Sequence, residues 1–359
     1  MIARRLVAAA STRRLIAAAS TRRLIAAAST RRLIAAASTR RLIAAMIAAA
    51  AVCAGCTTTN DDMLDAPGSL LVQPPLPSGA TMAPPAPVTT PAPTCGDPTA
   101  SLRPLPTGST VPTPAVDRIR ERGRLIVGLD TSSNLFSFRD PASGSIVGFD
   151  VDIAREVARD LFGDPDRIEY HILTSADRVE SLVDRSVDIV AKTMTINCER
   201  REKVAFSTVY FEAGQRVLVS KGSGIRGMED LADRWVCAVA GTTNMHRLQE
   251  LAPNATVLSV PNWADCLVVM QQRQVEAVTS DDTILAGLAA QDPNLELVGP
   301  PVSVEPYGIG VNKSDSDLVR QVNATLDRIR ADGTWQRIHD RWLTPLGPAP
   351  APPTPHYED

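Results

Sequence analysis

From Val116 onward the sequence predicts an α/β fold built on parallel sheets. Three observations predict it. Short runs rich in Val, Ile and Leu alternate with longer stretches whose apolar residues recur at helical spacing. Gly-, Pro- and Asp-containing turns separate them, and the alternation continues to about residue 345.

Taken in order, RLIVGLD reads as a buried strand, and LFSFRD and SIVGFD read as a hairpin around DPASG. In GFDVDIAREVARDL, Gly148 to Leu161, the residues Ile153, Val157 and Leu161 make one helical face, with Gly163 as a C-terminal stop. Asp150, Asp152 and Glu156 crowd this stretch and raise the question of a metal or catalytic site. Asp150 falls where an N-cap belongs, and Asp152 in the first turn, where a carboxylate suits the positive end of the helix dipole. The acids are therefore expected to start a helix. RIEYHIL (strand), RVESLVDR (helix), VDIVAKTMT (strand), NCERREKVAF (capped turn) and GQRVLVS (strand) follow. After KGSGIRGMEDL a second series runs WVCAVA, the turn GTT, NMHRLQEL, TVLSV, WADCLVVMQQ, VEAVTS and DDTILAGLAA. EPYGIGVNKSD returns as a strand, and closing helices carry the stripe Leu318, Val322, Leu326 and Ile329.

The first third has another texture. Residues 4 to 45 repeat the nonapeptide RRLVAAAST and then RRLIAAAST, and the last copy runs into RLIAAMIAAAAVCAGC, a basic start, an apolar stretch and small residues, the layout of a secretory signal. Leu42 to Ala54 falls short of the roughly 20 apolar residues of a membrane span, so residues 1–55 read as a cleaved leader. Cys53-Ala54-Gly55-Cys56 resembles a bacterial lipobox with Cys56 as the lipidated residue, although Cys53 stands where such boxes carry Leu or Val. Residues 56–115, rich in Pro, Thr and Ser, read as a tether, and 346–359 as a disordered tail. Ten of the 37 basic residues lie in the leader, leaving 27 against 40 acidic ones, about −13 for the exported chain. Such acidity argues against nucleic acid and against polybasic adhesion to anionic lipid. The four later cysteines, Cys95, Cys198, Cys237 and Cys266, suggest two disulfides with three connectivities, and their spacing fits no zinc motif.

Gly148 to Leu161 resembles the signature of bacterial extracellular solute-binding proteins of the polar-amino-acid family, family 3. TMTINCERREKVAFS, VAGTT, TSDDTILAG and ADGTWQRIHDRWL have counterparts there in the same order. Within the family the chain most resembles actinobacterial glutamate- or glutamine-binding lipoproteins. The resemblance implies a type II periplasmic-binding-protein-like fold of two α/β lobes joined by a two-strand hinge: lobe one over 116–216 and 309–345, lobe two over 217–308. It also implies a pairing of Cys237 with Cys266 inside lobe two, and of Cys198 with Cys95.

An amino-acid ligand needs a cation for its carboxylate and an anion for its ammonium once both leave water. Arg200, in MTINCER, matches the family's carboxylate-binding arginine, and its planar fork suits the role. Thr193 and Thr195 match positions that add backbone and hydroxyl contacts. Asp281 matches the ammonium-binding aspartate, with an N-cap role for it or Asp282 as the alternative. TSADR, Thr174 to Arg178, resembles a segment of glutamate/aspartate binders whose arginine reads the acidic side chain; Ser175 stands where glutamine-binding relatives carry an aromatic ring, and Asp177 is a rival partner for Arg178. Thr242 and Thr243 open a helix whose free N–H groups can receive an anion. Lys192 is a further cation, Asp130 faces either ligand or turn, and of Phe136 and Phe138 one is expected to line the cleft. Asn262 and Trp263 are cleft candidates.

These assignments describe a monomeric, membrane-anchored, extracytoplasmic receptor, without cofactor or metal, that closes on an acidic or polar amino acid. Glutamate or aspartate leads; asparagine and glutamine are alternatives. The partner is an ABC importer permease or a transmembrane sensor. A competing class is an enzyme on the same fold, of the cyclohexadienyl dehydratase kind, with Glu305 or Asp177 as general acid. A structural lipoprotein with a disused cleft is a third.

Overall fold

A computed structural model describes residues 74–83 and 93–359. The nonapeptide repeats, the export signal, Cys53, Cys56 and the start of the tether lie outside them. The strands are, in chain order, β1 (Thr81–Ala83), β2 (Leu125–Leu129), β3 (Ser132–Ser133), β4 (Ser137–Arg139), β5 (Ile146–Val147), β6 (Ile168–Ile172), β7 (Ile189–Val190), β8 (Val204–Phe206), β9 (Phe211–Ala213), β10 (Gln215–Ser220), β11 (Trp235–Val239), β12 (Thr256–Val260), β13 (Ala277–Asp281), β14 (Leu295–Val298), β15 (Glu305–Tyr307) and β16 (Gly310–Asn312).

Two larger sheets define two lobes. Lobe one carries the order β6-β2-β7-β16-β8, and lobe two the order β1-β12-β11-β13-β10-β14. Within them β6, β2 and β7 run parallel, as do β12, β11 and β13. The expectation of wholly parallel sheets fails at the strands that follow a crossing between lobes: β10 lies antiparallel to β13, and β16 antiparallel to β7. A chain that arrives from the other lobe enters from the far end, so its first strand runs against the βαβ series already there. The crossings are β9 and β15, which pair antiparallel with Phe211 opposite Tyr307 and Ala213 opposite Glu305.

Each lobe has its own core. In lobe one Ile153, Val157 and Leu161, from the helix Phe149–Phe162, pack with Leu318, Val322, Leu326 and Ile329, from the helix Ser316–Ala331, on the strands Leu125–Leu129 and Ile189–Val190. In lobe two Leu248, Leu267 and Leu285 come from three successive helices onto β11 and β13. Full burial of such side chains is worth about 1.5–3 kcal/mol each. Both cysteine pairs form as the resemblance implied, Cys95 with Cys198 and Cys237 with Cys266, with Cα–Cα distances of 5.4 and 5.6 Å.

Three expectations are corrected. The tail is ordered: Tyr357 bridges Ser101, its hydroxyl donates to Asp327 at 2.6 Å, and Asp359 pairs with Arg320 at 2.6 Å. The later part of the tether is likewise fixed. Arg201 donates to the carbonyls of Pro98 (3.0 Å) and Ala100 (2.5 Å) and pairs with Glu358 (3.2 Å), so one guanidinium holds both the end of the tether and the tail to lobe one. Thr81–Ala83, also assigned to the tether, caps the edge of the lobe-two sheet beside β12. Finally, the N-cap of the helix Phe149–Phe162 is Gly148, not Asp150. Among the described residues no helix is long and apolar enough to cross a membrane.

Candidate functional site

The lobe-one wall is built around a strained backbone. Thr193 has φ +40°, unfavourable for a β-branched residue, and it persists because its neighbours over-determine it. Its N–H donates to the Asp150 carboxylate at 2.9 Å, and its carbonyl accepts from Arg178 at 3.3 Å. Asp150 also accepts from the Tyr210 hydroxyl at 2.7 Å. Burial pushes the Asp150 carboxyl up to about 7, against the pull of these two donors. Its carboxylate is thus a brace beneath the site rather than a helix cap.

Arg178 opens the helix Arg178–Val183 and is buried. Its Nε donates to the Ser175 carbonyl (2.9 Å), Nη1 to those of Lys192 (3.1 Å) and Thr193 (3.3 Å), and Nη2 to Gly241 on lobe two (3.2 Å). Four of five N–H groups are therefore placed on backbone oxygens. Burial, and then the neighbouring Arg200, hold this guanidinium below the usual arginine range. Asp177 is no rival: its carboxylate turns to Thr174, accepting from the hydroxyl at 2.5 Å and the amide at 3.3 Å. Arg200 lies in the short helix Cys198–Lys203, capped by Asn197, whose Oδ1 accepts from the Arg200 amide at 2.9 Å. The Arg200 guanidinium donates to the carbonyls of Thr195 (2.6 Å) and Gly241 (3.2 Å), leaving three N–H groups for a guest carboxylate.

On lobe two, Thr242 caps the helix Thr243–Leu251: its hydroxyl accepts from Met245 N at 3.3 Å and donates to the Val239 carbonyl at 2.7 Å. It is spent on the turn, and Thr243 is the threonine that faces the cleft. The Thr243 hydroxyl donates to Glu305 at 2.8 Å and lies 3.5 Å from that of Thr195. Asp281 occupies the N-cap position of the helix Asp282–Ala289 without capping it. Its carboxylate accepts from Asn244 (2.7 Å) and from the Tyr307 hydroxyl, whereas Asp282 caps the turn through the amides of Thr283 (2.8 Å) and Gly214 (3.3 Å). Burial, and then the nearby Glu305, push the Asp281 carboxyl up to about 7.

Two glycines let the lobes meet. A Cβ on Gly241, at φ +71°, would lie 2.6 Å from the Ala176 Cα, and one on Gly287 would lie 2.4 Å from the Asn134 carbonyl oxygen. At the second point Asn134 donates to the Gly287 carbonyl at 3.0 Å.

The remaining candidates divide. Lys192 and Asp130 form a buried ion pair, and Lys192 also reaches Ser175 at 3.3 Å. Although burial raises it, Asp130 is held below the usual carboxylate range by Lys192 and by the donors Ser132 and Ser133. This pair neutralises itself behind Ser175. Phe136 belongs to the core, fully enclosed with its ring centroid 5.5 Å from those of Phe149 and Phe211. It lies in the turn before β4, which sets it inward, while Phe138 on β4 packs on Trp342. Trp263 is also core, and Asn262 donates to Asp265 at 3.3 Å.

Residues 125–345 match bacterial extracellular solute-binding proteins, family 3. The chain belongs to that family. It is 39% identical over 226 residues, 63% of this chain and 83% of the relative, to the ABC transporter glutamine-binding protein GlnH of Bacillus subtilis. The glutamate-binding protein GluB of Corynebacterium efficiens is 32% identical, covering 61% of this chain and 78% of GluB. Among solved structures, the P235GK mutant of ArgBP from T. maritima superposes with a TM-score of 0.61 at 33% identity, over 64% of this chain and 99% of that one. The fold is the type II architecture of periplasmic amino-acid-binding proteins. Both curated relatives are named for the amino acid they bind, the Bacillus subtilis one as part of an ABC transporter.

Asn244 and Tyr307 escaped the sequence reading, Asp150 entered it only as a helix start, and Glu305 only as a general acid. Asn244 left a usable signal, since it follows GTT at the start of a helix.

Proposed function

We propose that this family-3 protein is a receptor for a polar amino acid with an acidic or amide side chain, glutamate and aspartate foremost, that closes by hinging at β9 and β15. One observation carries the reading. Two guanidinium groups of lobe one, Arg178 and Arg200, converge on the Gly241 carbonyl at the start of a lobe-two helix, and the buried Asp281 lies on the same lobe-two wall. A ligand carboxylate between Arg200 and the N–H groups of that helix, with its ammonium on Asp281, touches both lobes at once, so its contacts are complete only when the lobes close. Arg178 reads the far end of the side chain with the N–H groups that Gly241 releases.

The receptor works as a monomer anchored through lipidated Cys56 and hands its ligand to an ABC importer; the transport role is supported by the ABC transporter glutamine-binding relative of Bacillus subtilis. Binding is favoured over catalysis because Asp281 is engaged by Asn244 and Tyr307, and Glu305 by Thr243 and Ser303. Calorimetric titration of the full chain with glutamate, aspartate, glutamine and asparagine tests this. At least one should bind stoichiometrically and be recovered unchanged; no binding by any of the four overturns the reading.

A further inference from the structure

Glu305 is a second carboxylate in the cleft that the ligand assignment leaves unused. It begins the hinge strand β15, opposite Ala213, and is 2% exposed. Its two oxygens accept from the hydroxyls of Thr243 (2.8 Å) and Ser303 (2.6 Å). Through Thr243 it stands at the first turn of the helix that would receive the ligand carboxylate. It is the leading neighbouring charge felt by both Arg200, which it stabilises as a cation, and Asp281, which it disfavours as an anion.

The charges around it come from every packed element. Lobe one contributes Arg178 and Arg200, together with the self-neutralising pair Lys192–Asp130 and the brace Asp150 behind Thr193. Lobe two contributes Asp281 and Asp282, the paired hinge strand carries the exposed Glu212, and β15 itself carries Tyr307. Within the cleft two guanidinium groups thus face two carboxylates. An amide amino acid, a neutral zwitterion, leaves this balance intact. A dicarboxylic one, even with its side chain on Arg178, leaves the cleft with one uncompensated negative charge.

We propose that Glu305 sets the choice between an acidic side chain and its amide: glutamate enters the cleft together with one proton taken from solvent, and glutamine enters without one. The proton resides on the Asp281 carboxyl, which the neighbouring Glu305 disfavours as an anion, or on the ligand itself, where it turns a repulsion into a hydrogen bond. This inference rests on the ligand reading above and specifies its charge rule.

The test is calorimetry of the full chain with L-glutamate and L-glutamine, in buffers of different ionisation enthalpy, between pH 6.5 and 8. Both ligands share the ammonium and α-carboxylate, so proton changes caused by those ends alone cancel in the comparison, and what remains reports the side-chain charge. Glutamate should take up about one proton more than glutamine, and its affinity relative to glutamine should fall about tenfold per pH unit in the upper part of that range. Glu305→Gln, which keeps an acceptor for Thr243, should abolish the difference in proton uptake and shift preference toward glutamate by about tenfold or more at pH 7.5. Equal proton uptake by the two ligands in the unmodified protein overturns the proposal, whatever the variant does. So does an unchanged preference in a Glu305→Gln protein that still binds both. Failure of the unmodified protein to bind either ligand overturns the receptor reading instead.

Discussion

The two walls of the cleft solve opposite electrostatic problems. Lobe one buries cations and stabilises them with backbone: Arg178 and Arg200 together make six hydrogen bonds to main-chain carbonyls. Lobe two buries anions and stabilises them with side chains, Asn244, Tyr307, Thr243 and Ser303. Backbone carbonyls are fixed by the fold, so the arginines are aimed before any guest arrives. Hydroxyl and amide donors can turn, so the acids are left adjustable. The contrast teaches that the cationic wall is held rigid by the fold, whereas the anionic wall is left adjustable.

Removing the rigid side should have the largest effect. Arg200→Ala is expected to lower affinity for every amino-acid ligand by about 2–5 kcal/mol, because it strips the charge partner from a desolvated carboxylate; titration calorimetry reads it, and retention of near-normal affinity breaks the comparison. Arg178→Ala should act differently, abolishing preference for dicarboxylates and also lowering the melting temperature, since three lobe-one carbonyls lose their donor. Selectivity preserved alongside a lowered melting temperature would make Arg178 a brace alone.

On the adjustable side the sign reverses. The Asp281 carboxyl titrates near 7 in the folded chain, above its usual range, so the folded state holds the proton longer than the unfolded one. That group's contribution is therefore lost as pH rises from about 4 through 7. Asp281→Asn should raise the melting temperature of the ligand-free protein at pH 8, leave it little changed at pH 4, and weaken ligand binding at both. A variant destabilised at pH 8 contradicts this account. The smallest effect concerns closure itself. Gly287 is remote from the charged groups, yet a methyl there would meet the Asn134 carbonyl. Gly287→Ala should weaken all ligands by a similar factor, about tenfold at most, without changing their ranking, and X-ray scattering should find the ligand-saturated form more open. A change in ranking would mean that Gly287 acts on the pocket.

Much of this was legible in the sequence where the determinants are local. The periodicity of Ile153, Val157 and Leu161 gave the helix, and the ordered motifs located Arg200, Arg178 and Asp281. What escaped depends on partners far along the chain. Asp150 reads as a helix start because its neighbours say so, but its hydrogen bonds go to residues 43 and 60 positions away. Arg201 looks like a surface charge until residues 98, 100 and 358 are folded against it. The tail, rich in proline, has little periodicity to read, and its order comes from Ser101, Asp327 and Arg320. Lys192 was readable as a cation, though its neutralisation by Asp130, 62 positions earlier, was not.

The hydrogen bonds that Arg178, Arg200 and Asn134 make to Gly241 and Gly287 run from protein to protein, so part of the attraction between the halves is independent of what is captured. In the receptor proposed above, a fraction of the molecules therefore idles already shut, and any reader of the closed shape would respond only to a rise above that background, whose height those few contacts set.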